Sequence, residues 1–323
     1  MICAGARDRS EPRGSRITQL LDAIGAHRRI AVVGLAKNAG KTTTLNALVA
    51  HASGAGMRVA ICSIGRDGER EDILTRLPKP AITVPPGSFC VTTDRLAVGL
   101  ELIEPLDQAG VLGRPGVYRC PASFGANGCT VELVGMNRIT VARSALTVLD
   151  RLADVVFIDG AFDRRSAAVP ALCDGVVLAT GAAVGNTPDL VAHRTAHVVR
   201  LVHLPVCTDA PDDAPTVVVP GALTARRFRP YADGRAAPRG GTLRVRDWTR
   251  VFLDDRELSN LYSSGWWICV ETGARLLAVT TNPFNPDGAR ADATALRDAV
   301  RARLIADGYD VPCVDIVLES RPR

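Results

Sequence analysis

The segment G-L-A-K-N-A-G-K-T-T at residues 34–43 constrains this chain more than any other. Just before it, Ile30, Ala31, Val32 and Val33 make a short apolar run of the kind that forms a buried strand. After it, Leu45, Leu48 and Val49 fall on one face of a helical repeat over residues 42–50. A strand, a tight Gly/Ala loop closed by Gly-Lys-Thr and then a helix is the setting in which a phosphate-binding loop works. The loop turns its backbone N–H groups inward, and the helix start adds partial positive charge. Lys41 is then placed to reach terminal phosphates, and the Thr42 hydroxyl to hold Mg²⁺. Gly34, Lys37, Asn38, Ala39, Gly40, Lys41, Thr42 and Thr43 form the candidate binding set. The plainer alternative is a Gly-rich turn that only joins strand to helix.

Composition narrows the setting. The chain has 323 residues, 47% hydrophobic but only 4% aromatic, which suits an Ala/Val/Leu-built α/β core. Lysine occurs only at Lys37, Lys41 and Lys79, so two of the three lie in the loop. The net charge of +5 is spread out apart from the N-terminal tail and residues 226–250, so no clustered basic face for nucleic acid is expected. Residues 1–15 are polar and Arg-rich without the apolar stretch of a signal peptide. No run approaches the roughly 18 apolar residues of a membrane helix. A soluble cytoplasmic protein without nucleic-acid or membrane partners is the expectation. The nine cysteines contain no CxxC pair and several sit in apolar runs, so buried free thiols are expected rather than disulfides or zinc. Cys120 and Cys129 flank a Gly-rich turn and could approach each other.

Along the chain, residues 1–16 read as a disordered tail and 17–26 as a short amphipathic helix. Apolar strands follow at 58–64, 155–160, 175–180, 275–281 and 313–318, with helices at 141–152, 188–201 and 289–306. The Pro-, Asp-, Gly- and Arg-rich stretch 205–241 marks a linker or insert. Alternating strands and helices predict an α/β fold, a doubly wound and mainly parallel sheet covered on both faces, with a small inserted α+β region. The expected division is a core at 17–204, an inserted region at 205–274 and a C-terminal part, 275–323, that returns to the core.

Phosphoryl chemistry also needs acids to hold a cation or its waters. Asp159 ends the apolar run V-V-F-I-D and is the candidate Mg²⁺ carboxylate; a strand-end acid is the alternative. Asp67, on the turn after the strand at 58–64, is a second candidate metal and catalytic residue, against a simple turn acid. Glu69 lies on the same turn. The candidate catalytic set is thus Lys41, Asp67 and Asp159. His193 and His197 are spaced i, i+4 on a helix, as in zinc pairs, but no third ligand is evident and a solvated or capping role is expected. Asn282 ends the strand at 275–281, with an ordinary Asn-Pro turn as its alternative. Trp266 and Trp267 are expected to pack the inserted region, with a partner surface as the alternative.

Five residues separate Gly34 from Gly40, one more than the common loop has. This expanded loop resembles that of dethiobiotin synthetase and its relatives, in the same branch as the septum-positioning and partition ATPases. The branch implies that Asn282 reads a nucleotide base. In partition ATPases a second lysine five residues before the main one reaches across a dimer. Lys37 stands four before Lys41, so a phosphate-facing or solvated Lys37 is an equal alternative, and a homodimer stays open. The blocks K-N-A-G-K-T-T-T-L-N, S-I-G-R-D-G-E, V-F-I-D-G-A-F-D-R-R-S, A-T-G-A-A-V and V-T-T-N-P-F-N-P, in this order, resemble the small P-loop subunit of the lysine 5,6-aminomutase reactivase. That resemblance spans about residues 30–285. It implies an ATP- and Mg²⁺-dependent ATPase that helps an adenosylcobalamin-dependent aminomutase exchange damaged cofactor, acting with a MutS-like large subunit. The chain lacks a D-x-H-x-x-G pattern and is not expected to hold cobalamin itself. The rival expectation is an ATP-dependent small-molecule ligase or kinase of dethiobiotin-synthetase type. A partition ATPase ranks last, since no basic stripe or amphipathic membrane tail is present.

Overall fold

Short apolar runs make the centre of the molecule. The computed structural model describes residues 24–25, 27–64, 82–107, 113–136, 138–160, 168–209, 215–233, 240–285, 288 and 290–319. The expected tail at 1–16, most of the helix at 17–26, the turn at 65–69 and the segment 161–166 lie outside the described residues.

The run before the Gly-rich loop is strand β1 (Arg29–Gly34), buried from Ile30 onward. Helix α1 (Lys41–Gly54) and β2 (Val59–Ile64) follow. Next come β3 (Ile82–Val84), β4 (Phe89–Thr93), β5 (Glu101–Pro105), β6 (Pro115–Arg119), β7 (Cys129–Val131) and β8 (Gly135–Met136). Helix α2 (Ile139–Leu152) leads to β9 (Val155–Gly160), and β10 (Gly175–Gly181) to α3 (Pro188–Val202). The large sheet runs β17-β16-β10-β1-β9-β2-β4-β6-β5, with β8 also on β2, once β16 (Leu276–Asn282) and β17 (Cys313–Asp315) rejoin it. From β17 to β4 every pairing is parallel; at one edge the β4–β6 and β6–β5 pairings are antiparallel.

Parallel strands need crossover helices on both faces, so their residues are buried on both sides. Strand β1 shows this residue by residue. Ile30 and Val32 pack with Leu45, Leu48 and Val49 of α1. Ala31 and Val33 point the other way, into the core that holds Leu146 of α2, Val199 of α3 and Val300 of α6 (Ala293–Ala306). The mainly parallel α/β architecture is therefore present, with helices on both faces.

A smaller region with two short sheets lies in sequence between α3 and β16. Its elements are β11 (Thr216–Val218), β12 (Leu223–Thr224), α4 (Ala225–Ala232), β13 (Gly241–Val245), β14 (Val251–Phe252), α5 (Asp255–Ser263) and β15 (Trp266–Val270). The expected α+β character is corrected here. Strands β11, β13 and β15 pair in parallel, as do β12 and β14, with α4 and α5 as crossovers. The strands are two to five residues long and set in Pro- and Gly-rich sequence, so their pairing direction leaves no local signal. The two tryptophans divide: Trp266 is buried against Tyr231, while Trp267 is 61% exposed and stacks on Tyr262.

The cysteine expectation is also corrected in part. Cys207 and Cys269 form a disulfide across 62 residues. Cys62, Cys90, Cys120, Cys129, Cys173 and Cys313 are free and buried, as expected. The pairing arises because the chain leaves the core and returns to it at one place. Val206 bridges Val270 in parallel, and the Val270 N–H donates to the Pro205 carbonyl at 2.9 Å. The chain-entropy relation gives about 4 kcal/mol for closing a loop of that length. The Cys207→Ser, Cys269→Ser double variant is expected to melt at least about 5 °C lower, and wild type in reductant to shift likewise. A melting curve indifferent to reductant and to both substitutions would show that the bond does not form in solution.

Candidate phosphate-binding site

Strand β1 lies inside the sheet, between β9 and β10, so the loop at its C-terminal end is flanked by both neighbours. The Leu35 N–H extends the β10 ladder by donating to the Ala179 carbonyl at 2.8 Å. The chain then turns sharply. Asn38 has φ 64°, the one non-glycine residue with positive φ among the described residues. Asparagine tolerates this region better than most side chains. Gly40 (φ 94°) starts α1, and its carbonyl accepts the first helical bond from the Thr44 N–H at 2.8 Å. A β-carbon at position 40 would lie 2.7 Å from Cβ of Asn282, so both the turn and the close approach demand glycine there.

The start of α1 is left open by its own sequence. No side chain caps it and no acidic residue occupies its first turn. Thr187 caps α3, Asp254 caps α5 within a capping box and Asp292 caps α6, whereas α2 and α4 are uncapped like α1. An uncapped helix start turns donors and partial positive charge toward whatever sits before it.

Lys41 Nζ lies 3.0 Å from Asp159 Oδ1, with both side chains partly buried. Register explains the meeting: Asp159 at the end of β9 pairs with Val32 of β1, two residues before Gly34. The contact is an ion pair without hydrogen-bond alignment, and Asp159 Oδ1 is a buried oxygen that accepts no hydrogen bond. Such an oxygen beside a phosphate loop suits a hydrated Mg²⁺, and the half-exposed Thr42 hydroxyl would complete the set. Thr44 is different: its hydroxyl is buried and spent on Thr280 Oγ1 at 2.7 Å. Cys62, on the neighbouring strand, is no nucleophile. Burial, and secondarily the Asp159 charge, push its thiol up to about 12.

Among the candidate residues, Asn38, Ala39, Gly40, Lys41, Thr42, Asp159 and Asn282 are brought to one end of β1, β9 and β16. Lys37 is exposed at the loop tip, and Thr43 is half-buried in the first turn of α1. Asp67 and Glu69 lie outside the described residues. On the same sheet edge, past the ends of β10 and β16, is a half-open cavity of about 150 Å³. Ala182, Gly185, Asn186, Asn285, Arg290 and Leu296 are among its lining residues. The Arg290 guanidinium stands 5.0 Å from the centre of the Phe284 ring.

The histidine pair has partners the sequence did not show. His197 Nδ1 is 2.8 Å and His193 Nδ1 3.6 Å from the Asp255 carboxylate, which Arg200 also reaches at 2.8 Å. This is a polar cluster joining α3 to the start of α5; His193 is exposed, as expected, whereas His197 is partly buried against Asp255. Among the described residues no group of three or more His, Cys, Asp or Glu is placed to hold a metal ion. Sequence reading also missed the Thr44–Thr280 contact. Its only trace was the consecutive polar residues Thr280, Thr281 and Asn282 that close the apolar run of β16.

Comparison with known protein families and with curated proteins returns no match. Among solved structures, the chain is similar to the signal recognition particle receptor FtsY from Elizabethkingia anophelis. Identity is 14%, 89% of this chain and 71% of that one are covered, and the TM-score is 0.28. So low a score carries no argument about fold or activity. Among the described residues no helix is long and apolar enough to cross a membrane.

Proposed function

We propose that this chain binds a magnesium nucleoside triphosphate, taken as ATP, in the 34–43 loop and hydrolyses it. The observation that carries the reading is Lys41 held 3.0 Å from Asp159 at the open start of α1. Lys41 would exchange that carboxylate for phosphate oxygens. The backbone N–H groups of the loop and first helical turn would cradle the remaining oxygens. Asp159 and Thr42 would hold Mg²⁺, which when bound supplies charge neutralisation on the phosphates. The cavity past β10 and β16 lies on the same edge and suits the base end of the nucleotide.

The finer reading is a reactivase subunit for an adenosylcobalamin-dependent aminomutase, working with a MutS-like partner. The ordered sequence blocks at residues 37–46, 63–69, 156–166, 179–184 and 279–286 support it. Hydrolysis removes the γ-phosphate contacts that hold a loop, and the loop's two states bias a partner. The test is turnover of ATP by the full chain alone, then with the MutS-like subunit and the aminomutase. Slow hydrolysis alone, raised several-fold by the partners, is expected. Turnover that instead needs a small carboxylate and no protein would replace this reading by the dethiobiotin-synthetase type.

A further inference from the structure

We propose that Asn282 is a positioning residue that braces the phosphate loop, so that the base-side segment and the phosphate cradle move as one. This rests on the nucleotide reading above and gives Asn282 a role other than touching the base.

Its side chain is committed at both ends. Nδ2 donates to the Asn38 carbonyl at 3.3 Å, and Oδ1 accepts from the Phe284 N–H at 3.2 Å. One neighbour is an acceptor and the other a donor, which fixes the orientation of the amide. Asn282 is 8% exposed, and Gly40 packs directly on it. On its other side a β-carbon at Gly181 would stand 2.3 Å from the Asn282 carbonyl oxygen, so β10 also presses against this residue. Two residues earlier on β16, Thr280 is tied to Thr44 of α1. The end of β16 is thus joined to the loop and to the helix behind it.

The Asn38 contact is the telling one. Asn38 holds the loop's only positive-φ turn outside glycine among the described residues, and its carbonyl must point away from the phosphate side for the N–H groups to point in. A donor fixed on that carbonyl holds the peptide in the binding orientation before any ligand arrives, which lowers the ordering cost of binding. The same amide accepts from Phe284, where the chain enters the segment carrying Asn285 and Arg290 of the cavity wall. A shift of that segment is therefore passed to the phosphate loop through one side chain.

The test uses Asn282→Asp, which keeps the shape and acceptor but replaces the donor by a charge facing a carbonyl. Calorimetry with ATP and with inorganic tripolyphosphate is run on wild type and variant, alongside thermal melting. The brace predicts that both ligands weaken by a similar factor, about tenfold to a hundredfold, in a variant that melts lower but still cooperatively. Their affinity ratio then stays as in wild type. A variant that loses ATP but keeps tripolyphosphate affinity would make Asn282 a base reader and overturn the proposal, as would unchanged affinity for both. If the aspartate variant does not fold, Asn282→Ala removes the donor without adding charge and is judged by the same ratio. Wild type that binds ATP but not tripolyphosphate overturns the brace alone. Wild type that binds neither overturns the phosphate-site reading beneath it.

Discussion

Lys41→Ala is expected to weaken ATP binding by at least about a hundredfold, since on the proposed reading it removes a charge-assisted contact to phosphate that no other lysine among the described residues is placed to replace. Lys37, the other loop lysine, is exposed at the tip, whereas Lys41 sits at the first position of α1. The substitution also leaves the Asp159 carboxylate without its cation at 3.0 Å. Some loss of stability is therefore expected, and Lys41→Met separates the effects by keeping the apolar stem. Titration calorimetry on both variants is the measurement. ATP affinity equal to wild type in both, with the proteins folded, removes the loop as the phosphate site.

Asp159→Asn is expected to act on turnover rather than on binding. Mg²⁺-dependent hydrolysis should fall by about a hundredfold or more, because a neutral amide is a poor substitute for a carboxylate toward a hard cation. Binding of metal-free ATP should be kept or tightened. On the proposed reading the phosphates would compete with Asp159 for Lys41 in wild type, and the variant would free that lysine. Hydrolysis assays with Mg²⁺ and calorimetry in a chelator give both numbers. Unchanged hydrolysis takes Asp159 out of the site. A parallel loss of metal-free binding would instead mean that the carboxylate holds the lysine in place for the phosphates.

The legible parts of the molecule are those whose signal is local. The strand at 30–33, the loop and the helix with Leu45, Leu48 and Val49 occupy some twenty consecutive positions, and each period points to the same arrangement. Asp159 could be proposed because a carboxylate closing an apolar run lies at the strand's C-terminal end, the edge where the loop also lies. What stayed hidden depends on distant residues. Nothing near Asn282 announces that it will lie against Gly40, 242 positions away, because the meeting follows from β16 entering the sheet beside β10. The Cys207–Cys269 bond depends on Val206 meeting Val270, a single parallel bridge at the end of β15. Asp255 lies in the first turn of α5, and only the approach of α3 makes it the centre of three basic side chains. The strand–loop–helix unit is therefore legible in sequence, while the supports that hold it are set by topology.

The disulfide has a mechanical consequence. A tension carried along the backbone from α3 toward β16 passes straight from Cys207 to Cys269. The residues between them, a contour on the order of 200 Å when extended, stay slack under that load for as long as the two sulfurs remain joined. Force exerted by a bound partner at one end of this segment would reach the strand that carries Asn282 without first stretching the smaller region.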